Sequence, residues 1–134
     1  MREADNTTLV LRYFERFAAG DAEAAFALLD EQVVWWVSGK PDQYPSAGNH
    51  SKAEVIEMLG RVGQIMPNGL DIKVTSTTAQ DDRVVAEVES RGVSAAGKVY
   101  DQRLVFVLQV RDNKIFRIRE YLDTQHAVAV LATA

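Results

Sequence analysis

The residue best placed to do chemistry in this chain is a lone carboxylate. In Lys114–Asp123, KIFRIREYLD, strand alternation puts Phe116, Ile118, Glu120 and Leu122 on one face and Ile115, Arg117, Arg119, Tyr121 and Asp123 on the other. The first face is apolar except for Glu120. If it is the core face, desolvation raises the pKa of that carboxyl, by up to ~3–5 units when burial is complete. A carboxyl titrating nearer neutrality can shuttle a proton or donate a hydrogen bond. If the strand end flares open instead, Glu120 is solvated or paired with Arg117 or Arg119.

Polar tips gather on the neighbouring segments. Along Tyr100–Val110, one face carries Tyr100, Gln102, Leu104, Phe106 and Leu108, so Tyr100 and Gln102 could orient a carbonyl or hydroxyl. One segment earlier, Val84, Ala86, Val88 and Ser90 form the inward set, and Glu87, Glu89 and Arg91 read as a solvated outer face. In Val33–Val37, VVWWV, either Trp35 or Trp36 faces inward, and an aromatic wall suits a flat apolar ligand. Tyr44 could cover a pocket from its loop. Asp123 with Thr124 reads as a cap, and His126 receives no role.

Composition narrows the function classes. The chain has 134 residues, the size of one domain (1–134), with 47% hydrophobic and 25% charged residues. A net charge of −4 argues against nucleic acid or an anionic membrane as partner. The lack of cysteine excludes disulfides and thiolate chemistry, and two histidines cannot build a His-rich metal site. No metal and no cofactor is therefore expected. No apolar run reaches the roughly 20 residues of a membrane span. The polar start MREADNTT does not read as a signal peptide, so a cytoplasmic location is expected.

The elements that must position these residues follow from periodicity. Leu9, Tyr13 and Phe17, with Val10 and Phe14, make the apolar face of a helix over residues 7–19, stopped at Gly20. Asp21 caps a second helix whose face includes Ala22, Ala25, Phe26 and Leu29. After the strand Val33–Val37, residues 38–50 form a long loop rich in Pro and Gly. Ser51 and Glu54 form a capping box before a third helix containing Val55, Ile56, Leu59 and Val62. Four strands joined by hairpins come next, turning at Asp81–Asp82, Ala96–Gly97 and Asp112–Asn113. The tail 124–134 is a short helix or frayed. The fold class is α+β: a strongly curved, mostly antiparallel sheet wrapped around three helices from the N-terminal half, a cone-shaped, cystatin-like roll. Such a sheet encloses a pocket.

The segments FAAGDAEAAFALLDEQVVWWVSG, AGNHSKAEVI and KVYDQRLVFVLQVRDNKIFRIREYLDT, in that order, resemble the nuclear-transport-factor-2-like superfamily, in particular its SnoaL-like and ketosteroid-isomerase-like branch. The resemblance implies the cone-shaped fold over nearly the whole chain. It also implies an acid in the closing strand, which Glu120 matches, and a helix-1 tyrosine supporting an oxyanion, which Tyr13 matches. His50 falls where a residue of this branch can line the pocket mouth. The chain departs from two relatives. Ser90 and Gly92 stand where epoxide hydrolases carry their Arg and second Asp, and Trp36 and Leu104 stand where ketosteroid isomerases carry acids. Glu120 and Tyr13 are thus the catalytic candidates. The ligand-binding candidates are Trp36, Tyr44, His50, Ser90, Tyr100, Gln102, Phe106 and Ile118. The expected function is a pocket for a small, largely apolar cyclic molecule, with acid/base isomerase, cyclase or hydrolase chemistry. The alternative is a non-catalytic binding or dimerisation module. The resemblance also implies a homodimer through the outer sheet face, where Val105 and Val107 are apolar.

Overall fold

The amphipathic N-terminal segment folds as α1, Arg2–Ala18, and buries Leu9, Val10, Tyr13 and Phe14 on one stripe. The computed structural model describes residues 2–132. In chain order α1 is followed by α2 (Ala22–Phe26), β1 (Leu29–Val37), β2 (Gly48–His50), α3 (Lys52–Ile65), β3 (Asp71–Gln80), β4 (Arg83–Val93), β5 (Val99–Arg111), β6 (Lys114–Tyr121) and α4 (Thr124–Ala127), which runs on into a π-helical stretch, Val128–Ala132.

The six strands form one mixed sheet in the order β2-β1-β6-β5-β4-β3. Every neighbouring pair is antiparallel except β1 with β6, which is parallel. Ladder irregularities in β1, β3 and β6 bend the sheet. The stripe of α1 lies across the inner face against Val84, Ala86, Phe106, Leu108, Ile115 and Ile118, giving one continuous core. This is the expected α+β architecture with a curved, mostly antiparallel sheet.

Four local differences from the sequence reading have physical causes. Helix α1 starts five residues earlier than its apolar pattern, with Glu3 and Asp5 in the first turn facing the positive end of the helix dipole. Helix α2 is a single short turn capped by Asp21, and Leu29 belongs to β1, not to the helix. The loop 38–50 contains β2, which pairs with the end of β1. Finally, β6 carries a bulge at Phe116: Val110 pairs with Ile115, but Gln109 pairs with Arg117. The extra residue switches parity, so Ile115 joins Ile118 and Glu120 on the inner face. Phe116 turns outward, where the Arg111 guanidinium carbon lies 4.3 Å from its ring centre.

Two other local readings hold in detail. Ser51 and Glu54 form the reciprocal capping box of α3. Asp112 and Asn113 both take positive φ, 52° and 62°, as a two-residue hairpin turn requires. No helix among the described residues is long and apolar enough to cross a membrane.

Candidate active site

The parallel pairing of β1 with β6 sets the site. Val37 is opposite Glu120 and Trp35 is opposite Ile118. This register settles the parity left open by VVWWV: Val33, Trp35 and Val37 face inward and are buried, and Val34 and Trp36 face out. Trp36 packs edge-on against Tyr121, with ring centres 5.3 Å apart. Trp36 is therefore corrected from a pocket residue to one of the outer face, and Trp35 takes its place.

The indole Nε1–H of Trp35 donates to Glu120 Oε1 at 2.9 Å. Glu120 has no ion-pair partner among the described residues, and neither Arg117 nor Arg119 pairs with it. Only part of its surface remains accessible, and that part forms a wall of the internal cavity. Burial pushes its pKa from 4.5 up to about 7, and the Trp35 hydrogen bond partly offsets the rise. At neutral pH the carboxyl is thus divided between acid and base forms, the condition in which one group serves in either role.

The cavity has a volume of about 480 Å³, within the range of small-molecule sites. Tyr13, Phe14 and Phe17 of α1, Trp35 and Val37 of β1, and Tyr44 to Ser46 of the loop line one part. Helix α3 supplies Met58, Leu59, Arg61, Val62 and Ile65. The sheet adds Ile72, Val88, Ser90, Tyr100, Leu104, Phe106 and Glu120, with Leu70, Leu122 and Leu131 beside it. The interior is aromatic. Tyr13 lies edge-on to Phe17 at 5.0 Å between ring centres, and Trp35 lies edge-on to Phe106 at 6.2 Å.

Three phenols border this space. The Tyr13 hydroxyl is buried with no hydrogen-bond partner among the described residues. Burial, and then the nearby Glu120 charge, hold its pKa well above the usual value. The same two causes push Tyr44 up to about 12. Tyr100 is also raised, chiefly by burial. All three therefore stay protonated at neutral pH and act as donors.

Of the residues singled out in the sequence, Tyr13, Tyr44, Ser90, Tyr100, Phe106 and Glu120 come together on the cavity wall. Trp36, His50, Gln102 and Ile118 do not. The His50 ring lies 2.6 Å from the Ser46 carbonyl oxygen and braces the loop. The Gln102 amide is spent on backbone: Nε2 donates to the Asp123 carbonyl and Oε1 accepts from the Asp123 N–H, both at 3.0 Å. Ile118 is wholly buried in the core. The α3 wall was not singled out, although Met58, Val62 and Ile65 stand at helical spacing. His126 tethers the C-terminal segment, stacking on Tyr100 and accepting from the Asp101 N–H through Nε2 at 3.0 Å. Gly39 fits the loop to this segment: its φ is 113°, and a Cβ there would come within 2.9 Å of Thr124 Cγ2. Among the described residues no three His, Asp or Glu side chains are grouped to hold a metal ion.

Comparison with known proteins agrees with this architecture. The model of the SnoaL-like domain family matches residues 10–118. No curated protein matches the chain in sequence. Among solved structures, Bal32a from a soil-derived mobile gene cassette superposes with a TM-score of 0.85 at 21% identity, covering 98% of this chain and 99% of its own. PrhC from Penicillium brasilianum gives 0.85 at 15% identity, over 97% of this chain and 87% of its own. TerC, co-crystallised with polyporic acid, gives 0.81 at 22% identity, over 96% and 98%. At these identities the likeness is one of fold.

Proposed function

The chain belongs to the SnoaL-like domain family, of nuclear-transport-factor-2-like fold, and from that premise we propose that its cavity binds a small, largely apolar cyclic molecule on which Glu120 transfers a proton. The observation that carries this reading is a buried carboxyl, its pKa pushed up to about 7, on the wall of an aromatic cavity, with no ion-pair partner among the described residues. A structural carboxylate is ordinarily solvated or paired, because burying an unpaired charge is costly. One kept unpaired in a cavity is a functional-site candidate.

The chemistry follows from the two protonation states. In its base form Glu120 takes a proton from a carbon or hydroxyl of the ligand, and in its acid form it returns that proton to a second atom. This is the core of isomerisation and of many cyclisations. Trp35 holds one carboxyl oxygen, leaving the other to meet the ligand. Polycyclic ketide, terpenoid and steroid-like molecules suit the volume and the aromatic walls. The fold likeness to TerC, crystallised with polyporic acid, supports an aromatic ring compound as occupant.

The test is a thermal-shift screen against such compounds, followed by product analysis of each binder. Glu120→Gln should bind the same compound and lose about 10²–10⁴-fold in turnover, the usual contribution of a positioned acid/base. Unchanged turnover in that variant would remove Glu120 from the chemistry. Binding with no conversion of any compound would favour a carrier or sensor.

The outer sheet face supports a homodimer. Val34 and Tyr121 are 38% and 42% exposed, Trp36 packs edge-on against Tyr121, and Val105 and Val107 lie half-buried on the same side. Arg117 and Arg119 of β6 stand two strands from Glu87 and Glu89 of β4, a charge pattern that complements itself in a two-fold pairing. Sedimentation should show a dimer at micromolar concentration, and Val107→Lys should shift it to monomer. A parent protein that is monomeric there would refute this.

A further inference from the structure

Besides Glu120, Arg61 is the one charged side chain among the described residues that line the cavity. It is placed there by helix geometry. Met58, Arg61, Val62 and Ile65 fall at spacings of three, four and seven, so they share one face of α3. The other three are apolar and only partly buried, because that face looks onto the cavity rather than onto packed core. Arg61 interrupts an apolar wall at the end open to solvent, its side chain 59% exposed. Its one ion-pair partner among the described residues is Glu57 on the preceding turn, at 3.0 Å through a single guanidinium nitrogen, Nη1. The Glu57 side chain is 76% exposed, so this bond competes with water and is easily exchanged.

The two charges oppose one another along the cavity. Glu120 sits inside and repels an anionic group that enters deeply. Arg61 sits at the mouth and offers a planar fork that matches a carboxylate. A ligand that is both apolar and anionic is therefore held one way round, with its rings against Trp35 and Phe106 and its anion outward.

Building on the assignment of this cavity as a ligand site, we propose that the natural ligand carries one anionic oxygen substituent, a carboxylate or an ionised phenol, which Arg61 binds at the cavity mouth. Arg61 is then a specificity determinant that orients the ring system toward Glu120.

Two fluorescent probes that differ by one anionic group test this: 8-anilinonaphthalene-1-sulfonate and its uncharged parent N-phenyl-1-naphthylamine. The parent protein should bind both. Arg61→Gln, at an exposed position, should weaken the sulfonate about two- to fivefold at low salt and leave the neutral probe unchanged. The gap should shrink as salt is added. Glu57→Gln, which releases the guanidinium, should tighten the sulfonate alone. Val62→Trp, filling the cavity from α3, should weaken both. Probes that both bind the cavity but do not distinguish Arg61→Gln from the parent overturn the role of Arg61 and leave the cavity assignment standing. Probes that fail to bind, or whose binding survives Val62→Trp, overturn the cavity assignment itself.

Discussion

At pH 8 the Glu120→Gln variant should melt roughly 10 °C above the parent, and at pH 4 the two should melt together. The folded pKa of Glu120 is raised from 4.5 to about 7, so the folded state holds the proton more tightly than the unfolded state does. Below 4.5 the carboxyl is protonated in both states and costs nothing. Between 4.5 and 7 the unfolded chain has lost the proton and the folded chain has kept it, so stability falls as pH rises through that window. Above 7 the folded protein carries a buried, unpaired charge, at a total cost of about 3 kcal/mol. Glutamine removes the charge and keeps an oxygen for the Trp35 N–H. The difference between variant and parent isolates this one group from the other carboxylates. A difference that stays flat from pH 4 to 8 would mean that Glu120 titrates as an ordinary carboxylate. With the loss of turnover argued above, the expected outcome is a variant more stable and less active than its parent, the usual trade at a strained site.

Trp35→Phe should move the Glu120 titration further up, to a pH above 7. The Trp35 hydrogen bond is the single influence lowering that pKa, and desolvation is left unopposed without it. A hydrogen bond to an ionised group contributes about 1.5–3 kcal/mol, which corresponds to a shift of roughly one to two units. Carbon-13 NMR of the Glu120 carboxyl reads this directly. Trp36→Phe is the control, because that ring packs edge-on against Tyr121 on the far face. The acid limb of any turnover profile, set by the base form of Glu120, should shift with the titration, whereas a merely structural tryptophan would lower activity at all pH values alike. A carboxyl titrating at the same pH in Trp35→Phe and parent would deny Trp35 its positioning role.

Much of this architecture is legible in the sequence where one physical signal dominates. The stripe Leu9–Tyr13–Phe17 has no reading other than an amphipathic helix, and Ser51 with Glu54 can satisfy each other's backbone at a helix start. Glu120 stands out because every second residue around it is apolar. Trp35 was not separable from Trp36, because both faces of VVWWV are apolar and parity is set by a partner strand some eighty residues away. Strand β2 has no alternation to show, consisting of Gly48, Asn49 and His50 held by the edge of β1. The bulge at Phe116 left the reading of Glu120 intact because it lies before Ile118, and it displaced only Ile115 and Phe116. Gln102 shows the limit of face assignment. It does point inward, but alternation cannot distinguish an amide free for a ligand from one already satisfied by the Asp123 peptide group.

The central place of β6 also bears on how the molecule is assembled. The run β3-β4-β5 closes through short turns and can form locally, but β1 and β2 join it only through β6. The Trp35–Glu120 bond spans 85 residues. Contacts of such separation come at a loop-closure cost before they return any stabilisation, and they slow folding. A chain emerging from the ribosome would therefore hold two sheet fragments with open edges until β6 enters between them. Glu120 and its indole partner are among the last pieces to meet, so the cavity acquires its carboxyl only once the surrounding scaffold is complete.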